Sequence, residues 1–130
     1  MGPENGKPEV VCSSDNGSVI TSGGGFSKYF PRPSWQDSVV TAYLNSASSL
    51  PPNGTYNPSG RAIPDVTALG DSYEIYLGGK PFELSGTSAS APVFASFIAI
   101  INSERASMKK KPLGFLNPAL YKLPKEAFHV

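Results

Sequence analysis

The residues with the most chemical potential lie at Ser85-Gly86-Thr87-Ser88-Ala89-Ser90-Ala91-Pro92, where an extended segment gives way to a long apolar stretch. A serine at a helix N-terminus sits among backbone N–H groups that have no intrahelical partner, at the positive end of the helix dipole. Such N–H groups can stabilise an oxyanion. Gly86 lets a substrate backbone come close, Thr87 stands beside it, and the small Ala89, Ser90 and Ala91 leave the entrance to the helix open. These residue types suit Ser88 as a nucleophile. They also suit an ordinary helix cap, because Ser and Thr are favoured there for the acceptor oxygen they supply.

A nucleophilic serine needs a base. The only histidine is His129, near the far end of the chain and after Ser88. Triads of the subtilisin order place His before Ser, so a Ser-His-Asp set is not completed here. The acids Asp15, Asp37, Asp65, Asp71, Glu74 and Glu83 remain, and a carboxylate serves as base only where its pKa suits the working pH. That points to acidic surroundings. Asp65, between Pro64 and Val66, has the most apolar setting, and a turn or an ion pair with Arg61 suits it better than catalysis. The single cysteine, Cys12, permits neither an internal disulfide nor a multi-Cys metal site. No Asp/Asn/Gly loop has calcium-binding spacing, so no metal ligand is assigned. Asn16-Gly17-Ser18 and Asn53-Gly54-Thr55 are glycosylation acceptors, which makes Asn16 and Asn53 candidate modification sites.

The elements that must position these residues follow from pattern. Residues 1–22 are polar and turn-rich; Asp15-Asn16-Gly17 suits a turn between two short strands. Gly23-Gly24-Gly25 calls for positive φ or close approach of another backbone. Trp35, Val39, Tyr43 and Leu44 share one face of a helix of about 13 residues, opened by Ser34 as cap or by Pro33 in its first turn. Residues 46–60 form a loop rich in Ser, Pro, Asn and Gly, and Arg61 to Leu69 a short extended or turn segment. Tyr73–Leu77 and Pro81–Leu84 read as two strands joined by a tight glycine turn. From Ala89 to about Met108 runs a helix that is apolar nearly all round in its first half, which predicts burial; Pro92 is placed in its first turn, where a missing N–H is tolerated. A short helical stretch follows around Ala119-Leu120-Tyr121.

Composition removes whole classes of function. Gly and Pro, 13 each among 130 residues, fall short of the roughly 25–30% that signals low complexity, and seven Phe, six Tyr and one Trp supply core mass. Eleven basic residues against ten acidic ones leave a net charge of +1, without the surplus that nucleic-acid binding needs. The run Lys109-Lys110-Lys111 reads as the solvated end of a helix. No apolar stretch reaches the roughly 20 residues that span a bilayer, and Met1–Lys7 has no apolar run behind it to make a signal peptide.

Four segments in order resemble the sedolisin (serine-carboxyl) peptidases. Ser85-Gly86-Thr87-Ser88-Ala89-Ser90-Ala91-Pro92 is similar to the nucleophile motif. Ser22-Gly23-Gly24-Gly25-Phe26-Ser27, followed by Phe30-Pro31-Arg32-Pro33-Ser34-Trp35-Gln36, resembles the Gly-triplet and aromatic-Gln segment. Gly60-Arg61-Ala62-Ile63-Pro64-Asp65-Val66 resembles the Arg-x-x-Pro-Asp-Val segment. Pro112-Leu113-Gly114-Phe115-Leu116-Asn117-Pro118, with Leu120-Tyr121, matches the stretch after the long helix.

The resemblance covers roughly residues 18–130. It implies a subtilisin-like α/β fold and hydrolysis of peptide or protein substrates at acid pH, with release of N-terminal tripeptides, by a Ser-Glu-Asp triad in which Ser88 is the nucleophile. The absent histidine base is then expected, and a lysosomal setting, or else a secreted one, is implied. The departures are equally specific. The family's catalytic Glu and Asp and its oxyanion Asp lie upstream of the Gly triplet, and nothing before Ser22 resembles them. Its calcium site begins with an Asp where this chain has His129, so no calcium ligand is carried over and no cofactor is assigned.

The expectation is therefore that residues 1–130 form the C-terminal portion of a sedolisin-type domain: a partial subtilisin-like fold, with an incomplete parallel sheet and a buried helix after the nucleophile. Residues 1–21 would be poorly ordered or a hairpin. The apolar helix would seek strands that these residues do not supply, exposing apolar surface, and the chain alone would be inactive for want of its base. The alternative is a truncated pseudo-peptidase, catalytically dead, that binds peptides or a partner.

Overall fold

The computed structural model describes residues 10–128. They divide into two units, one built from residues 10–22 and 67–113, the other from 23–66 and 114–128.

In the first unit the chain reverses at Asp15-Asn16-Gly17 through a single 3-10 turn, Ser14–Asn16, with Gly17 left-handed at φ 85°. The Ser13 hydroxyl accepts from the Asp15 N–H at 3.2 Å, and the Ser22 N–H donates to Cys12 O at 2.8 Å, closing the loop without a strand ladder. Strands β3 (Tyr73–Leu77) and β4 (Lys80–Leu84) form an antiparallel hairpin in the register Tyr73↔Leu84 to Leu77↔Lys80. Gly78 and Gly79 make its two-residue turn with φ of 60° and 77°. Both central residues at positive φ define the turn whose twist matches a right-twisted hairpin.

Helix α2 follows at Thr87–Ser107. It begins two residues before the predicted start, so Pro92 falls in the second turn rather than the first. A proline there cannot donate to the carbonyl four residues back, which is that of Ser88. Met108 closes the helix, Lys109 takes φ 56°, and Lys109, Lys110 and Lys111 are exposed just beyond the end.

The second unit pairs β1 (Gly25–Pro31) with β2 (Gly60–Ile63) antiparallel, with an irregularity between Phe26 and Pro31. A 3-10 turn at Ser34–Gln36 runs into α1 (Asp37–Ser46), so the predicted 13-residue helical span is present, its first turn wound more tightly. Pro33, not Ser34, holds the N-cap position, with no side-chain cap. Val40 is the buried residue of α1, while Val39 and Tyr43 of the predicted face are half exposed. A short α3, Asn117–Leu120, begins on the Asn117-Pro118 step, with the proline in its first turn.

The mixture of helices and small antiparallel sheets is compatible with a partial α/β domain. Two expectations need correcting. Both ladders among the described residues are antiparallel, where an incomplete parallel sheet was expected; β3–β4 is a local hairpin, β1–β2 joins strands about thirty residues apart across a loop, and no crossover unit is built. The helix after Ser88 is not buried: none of its residues is, and Phe97 and Ile100 are 58% and 65% exposed. A helix apolar nearly all round needs cover on every side, and no sheet or helix among the described residues of its own unit packs broadly against it. That exposed surface is what the sequence led us to expect of these residues on their own. The 130-residue chain produced alone should therefore bind a hydrophobic dye and self-associate. A clean monomer in sizing chromatography with a sharp two-state thermal transition would be the contrary result.

Candidate active site

Gly86 occupies the N-cap position of α2 and, lacking a side chain, makes no side-chain cap. Thr87 and Ser88 are the first two helical residues, so neither is a cap, which removes the ordinary reading of these hydroxyls. Ser88 is exposed and its Oγ has no hydrogen-bond partner among the described residues. The Thr87 and Ser88 N–H groups, at the start of the helix, have no intrahelical acceptor, whereas the Ala89 N–H already closes onto Gly86 O at 2.9 Å. The Gly86 N–H is also committed, to Gly70 O at 2.8 Å. Among the described residues two donors therefore stand free beside Ser88, and Gly86 contributes space rather than an N–H. Its φ of 166° is extended backbone, and a Cβ added there would meet Ser88 N at 3.7 Å and Ser88 Cβ at 4.0 Å, which is ordinary contact.

The segment Leu69-Gly70-Asp71-Ser72 lies along this turn. Asp71 is buried, and its Oδ1 accepts from Ser85 Oγ and from the Ser72 N–H, the latter at 2.8 Å. Hydrogen bonds from Ser85 and Ser18, with the Ser72 N–H, hold its carboxyl below the ordinary value near 3.8 against the opposing effect of burial. Hydrogen bonds to the charged form favour it. Asp71 is thus a poor base, and it makes no hydrogen bond to Ser88.

The sign of its pH effect follows. A folded pKa below the unfolded one gives stability that is fully present above the ordinary carboxylate range and is lost as pH falls through the lowered value. The wild-type protein should lose stability more steeply than Asp71→Asn on acidification from pH 5 to pH 2, read as urea midpoints. Parallel curves would remove Asp71 from this role.

The other candidates are dispersed. Asn16 and Asn53 are exposed, Asn16 with its Nδ2 donating to Val11 O at 3.2 Å and Asn53 in a loop where Thr55 Oγ1 donates to Pro52 O at 2.7 Å. His129 lies outside the described residues. No group of three or more His, Cys, Asp or Glu is clustered to hold a metal ion among the described residues, and none of their helices is long and apolar enough to cross a membrane.

Asp65 belongs to a structural network within the second unit. Its Oδ2 pairs with Arg61 at 2.5 Å, as the sequence suggests, and its Oδ1 accepts from Tyr121 Oη at 3.0 Å. Gln36, fully buried, donates to Tyr121 Oη at 2.7 Å and to Ala62 O at 3.0 Å, while its Oε1 accepts the Ala62 N–H at 3.0 Å. Burial pushes the Tyr121 hydroxyl up, and Asp65 adds to this, so Tyr121 stays a donor. Trp35 closes the cluster, 5.0 Å from the Tyr121 ring and 5.8 Å beneath the Arg61 guanidinium.

No family profile matches the chain. Comparison with curated proteins nevertheless shows that it is related to the sedolisin serine peptidases over a partial region. The particular relatives are tripeptidyl-peptidase 1 of Homo sapiens and of Mus musculus, each 52% identical over 101 residues, and of Bos taurus, 54% identical over the same length. Each match takes in 77% of this chain and 18% of the relative, so the chain spans about a fifth of the length of the curated relatives it matches.

Proposed function

We propose that this chain carries the nucleophile of a serine-carboxyl peptidase of subtilisin-like fold. Such a protein would hydrolyse peptide bonds at acid pH and release N-terminal tripeptides, as the name of its relatives describes for them. The observation that carries this reading is Ser88 itself: exposed, in the first turn of a 21-residue helix, with its hydroxyl unengaged and no capping duty.

In the proposed reaction Ser88 Oγ attacks the scissile carbonyl of a peptide laid against Gly86. The free N–H groups of Thr87 and Ser88 face the charge that develops on the carbonyl oxygen, where donors contribute most. An acyl-enzyme forms as the amine leaves, and water releases it. The proton on Oγ must pass to a base that the described residues do not present to Ser88, so these residues alone are inactive in this reading. That unengaged hydroxyl is also what a non-catalytic binding module would show, and the two readings separate on reactivity. No cofactor is needed from these residues, and an acidic compartment such as the lysosome suits a carboxylate base.

A fluorophosphonate probe applied to the protein at its native length, at about pH 5, tests the proposal directly. The expected result is a single adduct, mapped by mass spectrometry to Ser88. Gly86→Ala should slow labelling by about tenfold or more, because a methyl group there stands where the acyl group must approach, while the melting temperature stays near that of the wild type. An adduct elsewhere, or no adduct, overturns the proposal in favour of the binding module.

A further inference from the structure

The residues around Ser88 are held from one side by three consecutive residues. Leu69 O accepts from Ser90 Oγ at 2.7 Å, Gly70 O accepts from the Gly86 N–H at 2.8 Å, and Asp71 Oδ1 accepts from Ser85 Oγ. These contacts fall at positions −3, −2 and +2 from Ser88, so they grip the turn on both flanks and leave Ser88 itself untouched. The grip is close: a Cβ on Gly70 would stand 3.2 Å from Ser90 Oγ and 3.3 Å from Cys12 Sγ. Asp71 and Ser18, each only 7% exposed, are two of the few buried side chains among the described residues. Burying a carboxylate is costly unless it is fully hydrogen-bonded; here Ser85, within the strand-to-helix turn, is one partner, while Ser18 and the Ser72 N–H hold the carboxyl from outside that turn.

We infer that Leu69-Gly70-Asp71 is a positioning segment for Ser88, with Asp71 acting through Ser85 to set the direction in which the first turn of α2 presents its hydroxyl. The inference rests on the reading of Ser88 as nucleophile. Asp71 touches no reacting atom; it fixes the residue three before the one that does. Reaction rates are sensitive to displacements of the order of 1 Å at the attacking atom, so loosening this anchor lowers turnover more than substrate binding.

The experiment compares wild type, Ser85→Ala, Ser85→Thr and Ser88→Ala at native length, with peptide turnover at acid pH and amide hydrogen exchange both measured. Ser85→Ala should lower kcat about tenfold with KM within about twofold, the pattern of a contact that orders the transition state rather than the ground state. Ser85→Thr, which keeps the hydroxyl, should recover kcat to within about twofold of wild type. The Gly86 N–H should exchange about tenfold faster in Ser85→Ala, with β3 and β4 unchanged. Unaltered kcat and Gly86 exchange in Ser85→Ala would overturn the inference. So would Ser85→Thr as impaired as Ser85→Ala, or faster exchange spread across the hairpin, which marks general loosening. If wild type and Ser88→Ala prove equally inactive, the nucleophile reading falls, and the exchange data alone decide whether the segment holds the turn.

Discussion

In the protein at its native length, Ser88→Ala should reduce tripeptide release at about pH 4–5 by at least roughly a thousandfold, with folding unchanged. The magnitude follows from how nucleophile, base and orienting acid work as a unit: removing the nucleophile leaves only binding and oxyanion stabilisation, a residue of catalysis several orders below the intact enzyme. The stability half of the expectation comes from the structure. Ser88 Oγ makes no hydrogen bond to a described residue and Gly86 holds the cap position, so the truncation removes no cap and leaves no buried polar group behind. Had Ser88 been the cap, alanine would have cost about 1 kcal/mol of helix stability. The measurement is product release by mass spectrometry beside a thermal melt of each protein. Equal release by wild type and Ser88→Ala would defeat the peptidase reading; a lowered melting temperature would defeat the claim that this hydroxyl is free of structural work.

What the sequence made legible was local. The hairpin of Tyr73–Leu77 and Lys80–Leu84 is announced by alternation around Gly78-Gly79, and the helix carrying Ser88 by its apolar length. The Arg61–Asp65 pair is four residues apart and needs no tertiary knowledge. The misses are long-range. Strand β1 was not foreseen, because Gly23–Gly25 and Pro31 mask the run Phe26-Ser27-Lys28-Tyr29-Phe30, and its partner β2 lies some thirty residues on, across a loop. Gln36 entered only as part of a motif, yet it is the fully buried hub that ties Ala62 to Tyr121. A glutamine carries both a donor and an acceptor, so it can bridge a strand edge and a phenol at once, but nothing adjacent to it in the chain advertises that use.

Asp71 shows the same limit. It stood among six possible acids with no feature to separate it, and only the fold brings Ser85 and Ser18 to its carboxyl. Helix α2 shows the converse: its apolar character and its lack of cover within these residues are legible, but what would bury it is not a local property.

Glycine requirements were legible only in part, at Gly25, and the one that was missed carries the largest stability effect expected outside the site. The triplet drew the eye, yet a Cβ on Gly23 would meet nothing within 4 Å, and one on Gly24 only Ile63 O at 3.5 Å and Pro64 Cδ at 3.7 Å; Gly25 alone is constrained, by φ of 141°. Gly60, opposite Pro31 at the irregular end of the β1–β2 ladder, is different: a Cβ there would lie 2.1 Å from Ser27 O and 3.0 Å from Ser27 N and C. Those are backbone atoms, which no rotamer change can move aside. Ser27 O also accepts from Asn57 Nδ2 at 3.2 Å, and the Gly60 N–H donates to Asn57 O at 3.0 Å, so the strand cannot retreat without breaking both. Gly60→Ala should therefore destabilise the second unit by about 3 kcal/mol, the upper part of the range for overpacking, and loosen the adjoining Arg61–Asp65–Tyr121 cluster. Gly23→Ala, in open space at an ordinary φ, should be neutral or gain about 0.5 kcal/mol by restricting the unfolded chain. Urea midpoints at constant slope check the pair; equal midpoints would mean that β1 and β2 do not approach as closely at Ser27 and Gly60 as the structure has them.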